Sequence, residues 1–139
     1  MYQKDYILRM IEMLGDLIAG ILGLIRKGDI NRASEEIGRI YQDMLREDSA
    51  FFSNIPAEEL TSKLLSEHNY TNGHLEILAE LFNAEAELEA ARGNKERCVE
   101  LSGKSLILFE FIDNEQKTYS IARIRKMDQI KQRIEGMAV

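Results

Sequence analysis

Few residues in this chain are able to carry chemistry. Its two histidines, His68 and His74, flank a turn with five residues between them, so they share no helix face. A carboxylate-bridged di-metal bundle wants Glu-x-x-His on two helices, and the chain has no such pair. Glu80, Glu85, Glu87 and Glu89 cluster in a predicted helix. There Glu85 and Glu89, four apart, turn two carboxylates to one side. A solvated acidic face is the simpler reading of that cluster than acid–base work. The single cysteine, Cys98, stands beside a predicted hairpin turn and reads as a packed thiol, not a nucleophile. Neither a phosphate-cradling glycine loop nor a nucleophile motif is present. The expectation is a protein that is not an enzyme, with no catalytic residue, no metal ligand and no cofactor.

Charge is distributed unevenly. Glu47 to Glu100 holds twelve acidic residues against four basic ones. Lys117 to Ile134 holds six basic residues (Lys117, Arg123, Arg125, Lys126, Lys131, Arg133) against Asp128 alone. One explanation is a basic last helix lying against the acidic middle of its own fold. The other is an anionic partner. Nucleic acid is the weaker choice, since no aromatic residue follows Tyr119 to stack on bases. A net charge of −6 also argues mildly against general binding to nucleic acid or anionic membranes.

The elements that must position these residues are predicted to be helices. The apolar run from Ile7 to Ile25 repeats at spacings of three and four: Ile7, Met10, Ile11, Leu14, Leu17, Ile18, Ile21, Leu22, Ile25. This run reads as the central helix, against which the later helices pack. Glu12, Asp16 and Arg26 interrupt it well short of the about 20 apolar residues a membrane span needs. A signal peptide does not fit either, because Asp5, Glu12 and Asp16 occupy its leader and apolar core. Gly15, Ala19 and Gly23 share one face of this helix, and interior glycines cost roughly 1 kcal/mol each relative to alanine. Close approach of another helix would compensate. That neighbour is either intramolecular or, in the sharper reading, a partner subunit or client helix.

Gly28 stops the first helix, and Asp29 is the predicted N-cap of a second from Ile30 to about Arg46, giving a hairpin over 2–46. A break with Phe51 and Phe52 follows, tucked into the core or a groove, and Pro56 begins a short third helix, together spanning 47–67. The turn at 67–73 leads to a fourth helix capped by Thr71 or Asn72 and running from Gly73 to Arg92. Asn94 caps a fifth from Lys95 to about Ile112, which makes a hairpin over 73–112. Asp113 and Gln116 have capping-box spacing and open a last helix over 114–136. One domain of 139 residues accommodates all of this, at 45% hydrophobic and 30% charged composition with one proline and no tryptophan. A lone cysteine excludes an intrachain disulfide and suits a reducing cytoplasm.

Gly28-Asp29-Ile30-Asn31-Arg32-Ala33 and Gly93-Asn94-Lys95-Glu96-Arg97-Cys98 occupy equivalent places in the two hairpins. Each has glycine, a capping Asp or Asn, and a small residue on the second helix. This resembles the tetratricopeptide-repeat hairpin, in which a small residue after the turn allows tight packing. The tryptophan, tyrosine and closing proline of that repeat are absent, so the resemblance is to a degenerate form. The opening Asp5-Tyr6-Ile7-Leu8-Arg9-Met10-Ile11-Glu12 is similar to that of an uncharacterised bacterial family of small helical proteins. That resemblance implies a bacterial, cytoplasmic protein and carries no catalytic residue.

The sequence therefore predicts an all-α domain of about six helices in antiparallel, repeat-like hairpins. The leading expectation is a protein–protein interaction module whose surface includes Gly15, Ala19, Gly23, Arg123 and Lys126. Its partner is another protein or a second copy bound through the first helix, with no membrane and with nucleic acid disfavoured. The alternative is a small-molecule-binding bundle with Tyr41, Phe51, Phe52 and Tyr70 lining a pocket. Nucleic-acid binding through the basic last helix comes third.

Overall fold

A computed structural model describes residues 2–116 and 120–137, and among them all regular structure is helical, with no strand. The all-α class is as the sequence predicts. Seven α-helices follow in order: α1 Tyr2–Arg26, α2 Ile30–Ile40, α3 Ser49–Ser53, α4 Leu60–Glu67, α5 Asn72–Ala91, α6 Lys95–Gln116 and α7 Ile121–Met137. A π-helical turn, Tyr41–Leu45, extends α2, and a 3-10 turn, Ala57–Glu59, leads into α4.

The centre of the fold is α5, not α1. It is embraced by α1, α2, the π turn and α6, and α7 lies on α6. Its buried residues, Leu75, Ile77, Leu78, Ala79, Leu81, Phe82, Ala84, Ala86 and Leu88, run round most of its circumference. A helix apolar on most sides belongs in the interior. By contrast α1 buries only Ile7, Met10, Leu14 and Ile21 among its described side chains. Its long apolar run made it look central, but a run of that kind records hydrophobicity, not the number of neighbours.

The two glycine turns match in local geometry. Gly28 and Gly93 have φ of 83° and 81°, a left-handed conformation that glycine adopts without a Cβ penalty. In the first, the Asp29 amide donates to Leu24 O at 2.9 Å and the Gly28 amide to Ile25 O at 3.0 Å. In the second, the Asn94 amide donates to Glu89 O at 2.9 Å and the Gly93 amide to Ala90 O at 3.0 Å. Both are Schellman closures. The small residues that follow, Ala33 and Cys98, are fully buried.

Between the hairpins, Asp48 caps α3 by accepting the Phe51 amide at 2.9 Å, and Phe52 is fully buried. Buried Lys104 of α6 donates to Ser53 O at 2.6 Å, satisfying an end carbonyl of α3. The predicted start of the last helix is wrong. α6 continues unbroken through Asp113 to Gln116, and Ser120 caps α7 by accepting the Arg123 amide at 3.2 Å. Asp113 is not a cap because its carboxylate takes the Arg123 guanidinium at 2.6 Å, and no glycine or proline between Gly103 and Gln116 breaks the helix.

Candidate interaction surface

Four of the five exposed large hydrophobic side chains among the described residues lie on α1: Tyr6 at 54%, Leu8 at 50%, Met13 at 59% and Leu17 at 38%. At 3.6 residues per turn, Tyr6, Met13 and Leu17 fall within about 40° of one another on the helix circumference. They form a single outward stripe. Leu17, placed by its spacing in the core-facing set, sits at the edge of that set and stays exposed.

The small-residue face lies roughly 140° away, beside Leu8. Gly15 and Ala19 are exposed and Gly23 is half-buried. No heavy atom outside the helix stands within 4 Å of a Cβ built at Gly15, Gly20 or Gly23. The expected intramolecular helix neighbour is therefore not there, because α5 and α2 pack on other sides of α1. The close backbone approach occurs instead at Gly73, in the first turn of α5, where the Ile7 side chain occupies the place of a Cβ. Nothing in the α1 sequence signals that contact.

Beside the stripe, the first turns of α1 border a cleft of about 750 Å³, shared with Met44 of the π turn and with His74 and Glu76 of α5. Tyr6, Ile7 and Met10 form its apolar wall. Thr71 and His74 make a capping box: the His74 amide donates to Thr71 Oγ1 at 3.3 Å, and the Thr71 amide donates to His74 Nδ1 at 3.1 Å. Nδ1 accepts that bond only when it carries no proton, and burial pushes the His74 pKa down, in the same direction. Burial likewise raises Glu76, against the opposing pull of Arg123.

The predicted aromatic pocket is instead a packed cluster. Tyr41 stacks on Phe52 at 5.9 Å, Phe51 meets Phe52 edge-on at 5.0 Å, and Tyr70 stacks on His74 at 4.8 Å. Tyr41 and Phe52 are fully buried, and none of the four aromatic residues lines the cleft. Burial raises both phenols, Tyr41 well above the usual value and Tyr70 to about 12.

The glutamates of α5 are not a solvated face. Glu85 accepts from Tyr41 Oη at 2.8 Å and from Ser49 Oγ at 2.8 Å, with Arg97 at 3.7 Å. Glu89 is buried and takes Arg92 at 2.6 Å and Asn94 Nδ2 at 3.0 Å. Glu80 pairs with Lys126, and Glu87 pairs with Arg133. These glutamates are buried or partly buried, so their charges need partners. Among the described residues, no group of three His, Cys, Asp or Glu side chains is placed to hold a metal ion.

The cations of α7 supply part of those partners. Arg123 and Lys126 bridge to Asp113 and Glu80, and Arg133 also reaches Asn83 and Ser102. The basic helix does lie on the acidic middle of its own fold, while Arg125 and Lys131 face solvent and Lys117 lies outside the described residues. Of the five predicted surface residues, the structure keeps Gly15, Ala19 and Gly23 together on α1. It separates them from Arg123 and Lys126, whose charges are already matched.

No family model, curated protein or solved structure matches the chain. Among the described residues, no helix is long and apolar enough to cross a membrane.

Proposed function

We propose that the chain is a non-enzymatic protein-interaction module that binds through the outer face of α1. One observation carries the reading: among the described residues, large apolar side chains left in water concentrate on this helix, with a single exception, Ile121 of α7. Scattered surface hydrophobes need no explanation, but an aligned set on one element marks a contact surface. The two matching glycine turns support repeat-like hairpins as the scaffold, with α5 as the rigid support behind α1. A lone buried thiol and the absence of other cysteines suit a reducing, cytoplasmic setting. Photo-crosslinking in the host cell tests the reading. A crosslinking residue at Met13 should yield a covalent polypeptide adduct, and one at exposed Lys131 of α7 should not. Equal adducts from both positions, or none from Met13, would overturn it.

A second reading, small-molecule binding, rests on the cleft by Tyr6, Met44 and His74. Its volume of about 750 Å³ suits a drug-sized ligand. A ligand seated there raises the melting temperature, and Met44→Trp, by filling the cleft, should abolish that shift.

A further inference from the structure

We infer that the partner of this α1 surface is a second copy of the chain, paired antiparallel across the exposed stripe. This rests on the interaction reading above and adds the identity and geometry of the occupant. Along α1, Tyr6, Met10, Met13, Leu17, Gly20 and Leu24 recur with alternating spacings of four and three, the 3.5-residue repeat of a coiled-coil seam. Met10 on this line sinks into the chain's own core and Leu24 packs half-buried against it, while Tyr6, Met13 and Leu17 are exposed. The residues on one flank, Ile7, Leu14 and Ile21, also belong to that core. The other flank carries Arg9, Asp16 and Gly23, and Arg9 and Asp16 are exposed. Among the described residues neither Arg9 nor Asp16 takes part in an intramolecular salt bridge, whereas the acids of α5 from Glu80 to Glu89 are each matched.

Charge complementarity selects the occupant. An antiparallel two-fold sets one alternate set of seam positions (Tyr6, Met13, Gly20) against the other set (Met10, Leu17, Leu24) of the second copy. Tyr6 then falls opposite Leu17 of the second copy, and Met13 packs on the edge of its Met10. The same register sets Arg9 opposite Asp16 of the second copy and, by symmetry, Asp16 opposite Arg9. One helix thus supplies both the apolar layers and the complementary charges, as an isologous interface requires. A parallel pairing would set Arg9 and Asp16 against buried Leu14 and Ile21 and leave the charges unmatched.

Sedimentation equilibrium over a range of concentrations tests this, with circular dichroism as the check on folding. The chain should approach twice its 16.0 kDa mass as concentration rises. Leu17→Glu should remain monomeric and folded, and Leu8→Glu, off the seam, should still dimerise. Arg9→Asp should weaken the dimer at least tenfold, and combining it with Asp16→Arg should restore it, since the swap re-forms both pairs. A dimer that survives Leu17→Glu, or a charge swap that fails to rescue, overturns the antiparallel seam. A chain monomeric throughout, yet crosslinked from Met13 to a different polypeptide, overturns the second copy and leaves the interaction reading standing. No crosslink from Met13 and no dimer would overturn both.

Discussion

Helices α1 and α5 teach opposite lessons about what an amphipathic pattern means. α1 carries the long apolar run from Ile7 to Ile25, yet it lies at the edge of the fold and leaves Tyr6, Leu8, Met13 and Leu17 in water. α5 carries Glu76, Glu80, Glu85, Glu87 and Glu89, the densest acidic set, yet it is the most enclosed element. The difference lies in partners. Each α5 carboxylate from Glu80 to Glu89 meets a cation or donor from α6, α7, the segment after α2 or the turn that follows α5, so its charge is matched where it lies. The outer side chains of α1 are left largely in water. Stability therefore concentrates on α5, and the exposed apolar surface concentrates on α1, where we propose that binding occurs.

The contrast breaks most visibly on truncation. Phe82→Ala in α5 should destabilise the fold by about 3–5 kcal/mol, while Met13→Ala on the outer face of α1 should stay within about 0.5 kcal/mol. Urea unfolding of the monomeric Leu17→Glu background measures both without interference from association. Comparable losses at the two sites would mean that α1 is a core helix after all.

Glycine gives a second contrast of opposite signs. Gly73→Ala would drive a methyl into Ile7 and should cost about 1–3 kcal/mol of overpacking, partly offset by better helix propensity. Gly15→Ala, on the open face, should stabilise by about 0.5–1 kcal/mol. A stabilising Gly73→Ala would show that α1 yields freely at its contact with α5.

Charge removal sharpens the comparison further. Glu85→Ala orphans the buried Tyr41 hydroxyl and should lose about 1–3 kcal/mol. Asp16→Ala, exposed on α1, should change monomer stability by no more than about 0.5 kcal/mol. Equal effects would imply that the Glu85 network is as hydrated as the surface.

The smallest effect is a pH slope. His74 has a folded pKa below its unfolded value, so the unfolded chain binds the proton more tightly. Its neutral ring contributes stability that is present above the unfolded value near 6.5 and lost as pH falls toward the folded one. Protonation also removes the acceptor for the Thr71 amide. The melting temperature should therefore drop more between pH 7 and about 5.5 in the native chain than in His74→Gln, which retains the capping box. Glu76, raised by burial, acts with the opposite sign and is common to both proteins. Identical slopes would place the His74 proton elsewhere.

Several features were legible from local residues. The helical class followed from spacing, the hairpin ends followed from Gly28 and Gly93, and Thr71 was readable as a cap. Each of these depends on interactions within a few residues, which the order of side chains dictates directly. The predicted Asp113 cap failed because its carboxylate is claimed by Arg123, ten residues on. The aromatic pocket failed because Tyr41, Phe51, Phe52 and Tyr70 come from segments that close on one another, and their spacing along the chain says nothing of that closure.

By itself, the sequence determined that this chain forms amphipathic helices joined by tight glycine turns, because propensity, periodicity and capping are local. It also set an acidic middle against a basic end. Only the tertiary structure decided that α5 is the centre, that its glutamates from Glu80 to Glu89 are matched one by one, and that α1 presents Tyr6, Met13 and Leu17 outward. Burial depends on which helices enclose a given face, and that is settled when all the elements compete for the same core.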